Sequence, residues 1–453
     1  MNERGGSSIL VVAGALGLAL AAVLAFGPLE ENALGPLLRV DATSRLFLIV
    51  INTIFLGIAV QARVRAAGAR RSWGAIGLTL LFLGAANLTL LSDPLLLGWI
   101  ALEVTTIAAA PLIVRSGAPD SRLASWRYFL FSTFGLGLAM LGMLCLVRGT
   151  GVEGGLGGLT LQALLGAGVE ASDPWSRLGL SLVLLGYGTK LGLAPMHLWL
   201  PETYDEAPPA VTSMLAAIQF NCALVALIRV LSVFRAGNED LVSAQLIGMG
   251  LASVLLATAS LVATTRIRRV VAYSSIVHAG IIAIGLGVGG GAGYGVLLYA
   301  VSNAFIKAML FLTAGKIEAE YGTRETRSIR GVIQSMPYSG LFLMAGTFAL
   351  LGFPPFGSFL GELLILSGLV RGGYLLTFAA LGFLVSVTFM TVGRTVFPMI
   401  WGTPEQTTTR RAQTFVSFLP QLLFLVVLVV LGLHLPAPVN ALFQEVAVSL
   451  GDR

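Results

Sequence analysis

Thirteen long apolar stretches separated by short polar ones set the plan of this chain. They fall at 8–27, 45–62, 73–92, 95–115, 124–147, 178–200, 209–232, 243–264, 269–288, 294–316, 338–371, 374–399 and 416–435. A helix needs about 20 apolar residues to cross the hydrocarbon core of a bilayer, and each run meets or approaches that length. Two runs are interrupted, one at Pro195 and the other at Pro354 and Pro355. Proline removes a backbone donor and crowds the preceding turn. At membrane depth a broken helix is tolerated only where it packs in protein or lines a water-filled cavity. Counting each interrupted run once, the pattern predicts an all-α polytopic membrane protein of about 13–14 transmembrane helices. Helices three to seven form one set of five and helices eight to twelve another, and in each set the fourth is broken. Five is odd, so the second set enters from the opposite side. The prediction is two inverted five-helix repeats, a plan shared by many secondary transporters. Predicted boundaries are N-terminal transmembrane helices at 1–72, a first repeat at 73–235, a second at 241–400, and a C-terminal transmembrane helix and tail at 401–453.

The run at 8–27 has no clear cleavage site and is long enough to span, so it is read as a helix and not as a signal peptide. The segment 148–177, rich in Gly and Leu, is the longest piece between spans and is expected to hold a short interfacial element. Residues that are 56% hydrophobic and only 11% charged exclude a soluble domain, which carries about 25% charge. The net charge of +6 comes from short loops and gives no reason to expect nucleic acid. Cys145 and Cys222 lie far apart in apolar runs, His is scarce and Cys-x-x-Cys is absent, so neither disulfides nor iron–sulfur, haem or zinc sites are expected. Loops after even-numbered helices hold Arg63, Arg65, Arg70 and Arg71; Arg115, Arg122 and Arg127; Arg266, Arg268 and Arg269; Arg324, Arg327 and Arg330; and Arg410 and Arg411. The positive-inside rule places these loops in the cytoplasm, the N-terminus with them, and the C-terminus outside.

Lysine usage changes the picture again. The chain has 25 arginines but three lysines, Lys190, Lys307 and Lys316. A buried lysine can lose its proton near neutral pH whereas arginine stays charged. Lys190 sits in LVLLGYGTKLGLAPMHLWLPETYDEAPPAV, ahead of the break at Pro195 and His197, with Glu202, Asp205 and Glu206 in an acidic loop beyond. Ionisable groups inside a membrane are costly and mark ion paths by default; snorkelling to the interface is the alternative. Glu103 lies mid-span in PLLLGWIALEVTTIAAAPLIV and is paired here with Lys190. Such a pair can open and close as a proton moves, or stand as a static tie between helices. His278 in VVAYSSIVHAGIIAIG can relay protons or be a satisfied core histidine. Lys307 lies in NAFIKAMLFLTAG, and Glu362 follows the break GFPPFGSF.

Together KLGLAPMHLWLPETYDEAPPAV, RRVVAYSSIVHAG, NAFIKAMLFLTAG and GFPPFGSFLGELLIL resemble the proton-conducting antiporter-like membrane subunits over roughly 73–400. That family includes the large membrane subunits of respiratory complex I, subunits of Mrp-type cation/proton antiporters and membrane subunits of energy-converting hydrogenases. The chain looks most like the hydrogenase-4 component F type or the M and N chains of NADH–quinone oxidoreductase; it has no long C-terminal lateral helix, unlike the L-type chain. The resemblance implies a proton path of Glu103, Lys190, His278, Lys307 and Glu362, with broken-helix loops at Pro195, His197, Pro354 and Pro355. Where several members have a bridging lysine this chain has Asn221, which can hold a water but cannot carry the proton. The family core usually has fourteen helices; the one lacking here corresponds to the first. The function implied is proton translocation within a redox-driven complex, by a chain not catalytic alone and without a cofactor or metal of its own. Its partners would be other membrane subunits, a soluble redox arm, protons and the lipid bilayer, in a bacterial-type energy-transducing inner membrane. The alternatives are a sodium/proton antiporter subunit of the Mrp type and a non-conducting membrane scaffold for a soluble enzyme.

Overall fold

The computed structural model describes residues 3–28, 31, 34–35, 37–65, 72–115, 117–150, 160–167, 173–403 and 413–450. Among them there is no strand, only three isolated bridges. The chain opens with α1 (Glu3–Phe26), α2 (Ala42–Arg65), α3 (Trp73–Leu91), α4 (Leu95–Ile113) and α5 (Pro119–Thr150). A short α6 (Leu161–Ala167) leads to the first broken helix, α7 (Pro174–Leu191) and α8 (Trp199–Glu206). Then come α9 (Pro209–Ser213), a π-helical stretch Met214–Gln219, and α10 (Phe220–Val262). Next are α11 (Ile267–Val288), α12 (Gly293–Tyr321) and α13 (Val332–Ser335). The second broken helix is α14 (Pro337–Leu350) and α15 (Gly357–Arg371), followed by α16 (Leu375–Trp401). A 3-10 turn Phe415–Phe418 precedes α17 (Leu419–Leu433) and α18 (Ala437–Ser449).

Eleven helices among the described residues are long and apolar enough to cross a membrane, and the two broken ones complete the expected set. Three local differences from the sequence reading stand out. The spans expected at 209–232 and 243–264 run into each other as α10 without an intervening loop. Glu202, Asp205 and Glu206 lie in the helix α8, not in a loop. A further helix, α18, follows α17, and its Asn440 accepts from the Tyr294 hydroxyl at 2.7 Å; its shortness and polar positions hid it from a search for long apolar runs. The segment 148–177 holds the short helix α6, with 151–159 and 168–172 outside the described residues. Arg70, Arg71, Arg410 and Arg411 also lie outside them.

Local chemistry explains the helix ends. Asp173 caps α7 by accepting from the Ser176 amide at 2.7 Å, with Pro174 at the first helical position, where the missing N–H costs nothing. Asp41 does the same for α2, accepting from the Ser44 amide at 2.7 Å. The helices then pack through small residues. A Cβ on Gly142 of α5 would lie 2.7 Å from the Gly179 carbonyl of α7, and one on Gly250 of α10 would lie 2.7 Å from the Gly280 carbonyl of α11. Such close approach is how membrane helices gain packing energy when lipid is as apolar as their own side chains. The apolar spans of Pro209–Phe234 and α12 are buried, with Ala319 and Glu320 at the end of α12 exposed, whereas most residues of α1 and α16 reach the surface. The buried polar axis is thereby enclosed by helices that face lipid.

The two breaks share one backbone design. Each begins at a glycine in the left-handed region, Gly192 at φ +77° and Gly352 at φ +67°, a conformation that costs other residues. The next amide reaches five residues back, Leu193 to the Gly188 carbonyl at 2.8 Å and Phe353 to the Phe348 carbonyl at 3.1 Å. One carbonyl at the end of the first half-helix, which already accepts the glycine amide (Gly192 to Thr189 at 3.2 Å, Gly352 to Ala349 at 3.3 Å), takes a second donor from beyond the break. The Trp199 indole donates to the Thr189 carbonyl at 2.9 Å, and the Ser358 hydroxyl donates to the Ala349 carbonyl at 2.6 Å. Thr189 and Ala349 occupy equivalent places in the two breaks. Both breaks thus satisfy backbone groups internally, as the bilayer demands. At the same spacing along the chain, Glu362 is the counterpart of Glu202, not of Lys190.

Candidate functional site

Lys190 occupies the last turn of α7, three per cent exposed. Its ammonium donates to the Thr106 hydroxyl of α4 and lies 5.3 Å from the centre of the Tyr128 ring, a cation–π distance. Thr106 in turn donates to Glu103 Oε2 at 3.3 Å. The pairing of Glu103 with Lys190 expected from the sequence is therefore relayed through a threonine hydroxyl. The reason is helical spacing: Glu103 and Thr106 are three apart and share a face of α4. Glu103 is also held by Thr133 of α5, whose hydroxyl donates to Oε1 at 2.6 Å. Thr133 is exposed and Glu103 half-buried, so the carboxylate end of this relay opens onto the side of the molecule. Behind the lysine, Tyr128 donates to Gln219 Oε1 at 2.9 Å and Gln219 donates to Thr105 at 2.8 Å.

The second half gathers its polar groups around α11 and α12. Lys307 is fully buried and donates to the Ser274 hydroxyl at 2.7 Å and to the Val271 carbonyl at 3.4 Å. His278 Nδ1 shares a 2.5 Å hydrogen bond with the Tyr299 hydroxyl. Ser274, His278, Tyr299 and Glu362 line one small cavity of about 20 Å³, room for a single water. A Cβ on Gly352 would meet the Glu362 carboxylate at 2.6 Å, so the glycine that makes the second break also makes space for this acid.

Between the halves, Asn221 donates to the Ala217 carbonyl at 2.6 Å, while its Oδ1 is buried without a protein partner. Asn303, one turn before Lys307, has a buried Oδ1 in the same condition. Pro195 and His197 lie in the first break, His197 buried with Nδ1 unpartnered; Pro354 and Pro355 lie in the second. The structure thus brings Glu103 together with Lys190, and His278 together with Glu362, but no direct hydrogen bond joins Lys190 to Lys307. Sequence reasoning passed over Thr105, Thr106, Tyr128, Gln219, Ser274 and Tyr299, because hydroxyls and amides are cheap enough in a span to raise no signal.

It also passed over two charged clusters. Arg229 of α10, in an apolar run, donates to Asp41 at 3.3 Å, to Ser44 at 2.8 Å, and to the Leu90 and Ser92 carbonyls at 2.7 and 2.8 Å. Burial alone would raise the Asp41 carboxyl, but Arg229 and the Ser44 hydrogen bonds outweigh it and hold the group below its ordinary range. At the other face, α8 is clasped by the arginine loops. Asp205 accepts from Arg266 at 2.8 Å and Arg269 at 3.0 Å, and Glu206 from Arg324 at 2.8 Å and Arg115 at 3.2 Å. Arginines read as markers of sidedness are also the ties that hold the half-helix after the first break. No group of three or more His, Cys, Asp or Glu among the described residues is placed to hold a metal ion.

Comparison with known proteins follows the same outline. The family model described as NADH:quinone oxidoreductase/Mrp antiporter, TM, matches residues 92–391. A hydrogenase-4 component F homolog of Methylacidiphilum infernorum (isolate V4) is 33% identical over 286 residues, 62% of this chain and 60% of that protein. The chain therefore spans less than two thirds of the length of this relative. Among solved structures, a chain of the Mrp complex from Dietzia sp. DQ12-45-1b superposes with a TM-score of 0.86 at 21% identity, covering 99% of this chain and 93% of that one. A chain of respiratory complex I from Thermus thermophilus superposes with a TM-score of 0.79 at 23% identity, over 98% and 95%. With the two matching breaks and the buried lysines already in view, these matches establish that the chain is a multi-pass membrane protein of the NADH:quinone oxidoreductase/Mrp antiporter transmembrane family.

Proposed function

We propose that the chain is the proton-translocating, antiporter-like membrane subunit of a redox-driven complex of the hydrogenase-4 or complex I kind. The observation that carries this reading is Lys190. It is a buried cation at the end of a half-helix, held by one hydroxyl and one aromatic ring and joined to Glu103 through Thr106. A buried ion so lightly held changes protonation more readily than one fixed by several partners. Chemistry elsewhere in the complex alters the field at Glu103, the Glu103–Thr106–Lys190 relay opens, and the lysine releases its proton. Asn221 and Asn303 hold waters between the halves, and the proton continues through Lys307 and His278 to Glu362. The repeats at 73–235 and 241–400 are the two half-channels. The partly open Glu103–Thr133 face supports a neighbouring membrane subunit there, since an ionisable group at mid-span is costly against lipid. A soluble redox arm, a bacterial inner membrane, a cytoplasmic N-terminus and an outside C-terminus complete the proposal.

The test is proton uptake by vesicles holding the assembled complex during turnover. Lys190→Ala and Glu103→Gln should each abolish coupled pumping while the complex still assembles. Full pumping by a well-assembled Lys190→Ala complex overturns the mechanism. Sodium-dependent proton flux without an electron donor would move the chain to the antiporter reading.

A further inference from the structure

The face that carries the arginine loops holds a cavity of about 770 Å³ lined by Arg115, Glu206, Arg266, Arg268, Glu318 and Arg324, among others. Its lining includes Arg268, one per cent exposed, whose guanidinium donates to Glu318 at 2.8 Å and to the Ala207 carbonyl at 2.5 Å. Arg268 therefore joins α11, α12 and the end of α8 at one point. Directly beyond it along α11, one turn on, is Val271, whose carbonyl accepts from Lys307. Glu318 and Lys307 are eleven residues apart on α12, three turns and hence one face, with an axial separation of about 16 Å. Lys307 reaches back along α11 to bond Ser274. Tyr204, whose carbonyl lies 3.5 Å from the Arg268 guanidinium, meets Phe311 of α12 edge-on with ring centres 5.4 Å apart. By contrast, no residue bonded to Lys190 lines this cavity.

We infer that this cavity is a water-filled vestibule that loads Lys307 directly, and that the Arg268–Glu318 pair is its gate. This gives Lys307 a proton supply of its own from the arginine-loop side, additional to the route through Lys190. When the pair separates, Arg268 releases the Ala207 carbonyl and water follows along α11 to Ser274 and Lys307. The inference rests on the proton-path reading for its purpose, but its geometry is testable without any pumping.

The experiment measures water access with a small membrane-impermeant thiol reagent, methanethiosulfonate ethyltrimethylammonium. It is applied to one face at a time of vesicles holding the whole complex, with Cys145 and Cys222 replaced by alanine. Ala319→Cys marks the vestibule side, since Ala319 lines the cavity. Ser274→Cys reports the Lys307 site, with Lys307→Cys as a second reporter should the first fail to assemble, and Thr106→Cys reports the Lys190 site. The Ser274 reporter should react from the same face as Ala319→Cys. Arg268→Ala should speed that reaction about tenfold, equivalent to about 1.4 kcal/mol on gate opening, and Arg268→Lys should restore the slow rate. Thr106→Cys should stay unreactive from that face. Reaction of the Lys307-site reporters only from the opposite face, no reaction from either, or no response to Arg268→Ala overturns the inference. Labelling is independent of transport, so loss of pumping in Lys190→Ala leaves it standing and failure of labelling leaves the Lys190 mechanism standing.

Discussion

Arg229 and Lys190 are both lone basic residues buried in apolar spans of the first repeat, and the molecule treats them in opposite ways. Arg229 meets a carboxylate, a hydroxyl and the carbonyls that α3 leaves unpaired at its end. Its charge is balanced and most of its donors are used. Lys190 meets one hydroxyl and one ring face, and its carboxylate is a residue away across Thr106. A buried ion with most of its donors used gains little by moving, and Arg229 ties α2, α3 and α10 together. An undersaturated one sits closer to the point where losing its proton costs nothing. On the proposed proton path, the number of partners of a buried cation separates a fastener from a carrier better than its burial does. By this measure Lys307, with a hydroxyl and a carbonyl, resembles Lys190 and not Arg229.

This contrast can be broken by mutation. The largest expected effect is Lys190→Ala, with complete loss of coupled proton uptake in vesicles and little change in thermal stability, because removing an undersaturated ion relieves desolvation. If stability collapses while pumping survives, the two roles are assigned the wrong way round. Next is Arg229→Leu, which strands Asp41 and should cost about 3–5 kcal/mol, the usual penalty for breaking a buried pair from one side. Denaturation of the detergent-solubilised complex reads this, and Asp41→Asn should recover part of the loss. A smaller effect is expected of Thr106→Val, which keeps the shape and deletes the relay. The loss of a hydrogen bond to a charged group, about 1.5–3 kcal/mol, should slow pumping about 10- to 100-fold, and Thr106→Ser should restore it. The smallest is a pH effect. The Asp41 carboxyl lies below its ordinary value of 3.8 in the folded chain, so its stabilising contribution is complete above that pH. It should be lost as pH falls from there through the folded value. A melting curve in wild type that steepens in this window, and does not in Asp41→Asn, is the expected result.

The clasp around α8 adds to the contrast. Asp205 and Glu206 tie the half-helix that follows Lys190 to loops flanking α11 and α12, so the first break and the second half share one charged anchor. Here too the acids have several ionic partners, whereas Lys190 and Lys307 have none among the described residues.

Apolar run length determined the spans, since a bilayer accepts little else. The prolines determined where two of them break, and composition excluded a soluble protein. Glu103, Lys190, His278, Lys307 and Glu362 were legible because ionisable groups in apolar runs are expensive wherever they point. Other features needed the folded molecule. A sequence does not say which face a side chain takes, so Arg229 looked like one more basic residue and Thr106 like none at all. The merging of two spans in α10 depends on helical hydrogen bonding across 235–238, which no apolar count records. The equivalence of Glu362 with Glu202 became visible only when the backbones of the two breaks were laid on one pattern. Run length and charge are properties of the chain and survive without neighbours. Saturation of a buried ion is a property of its surroundings, and only packing from distant helices decides it.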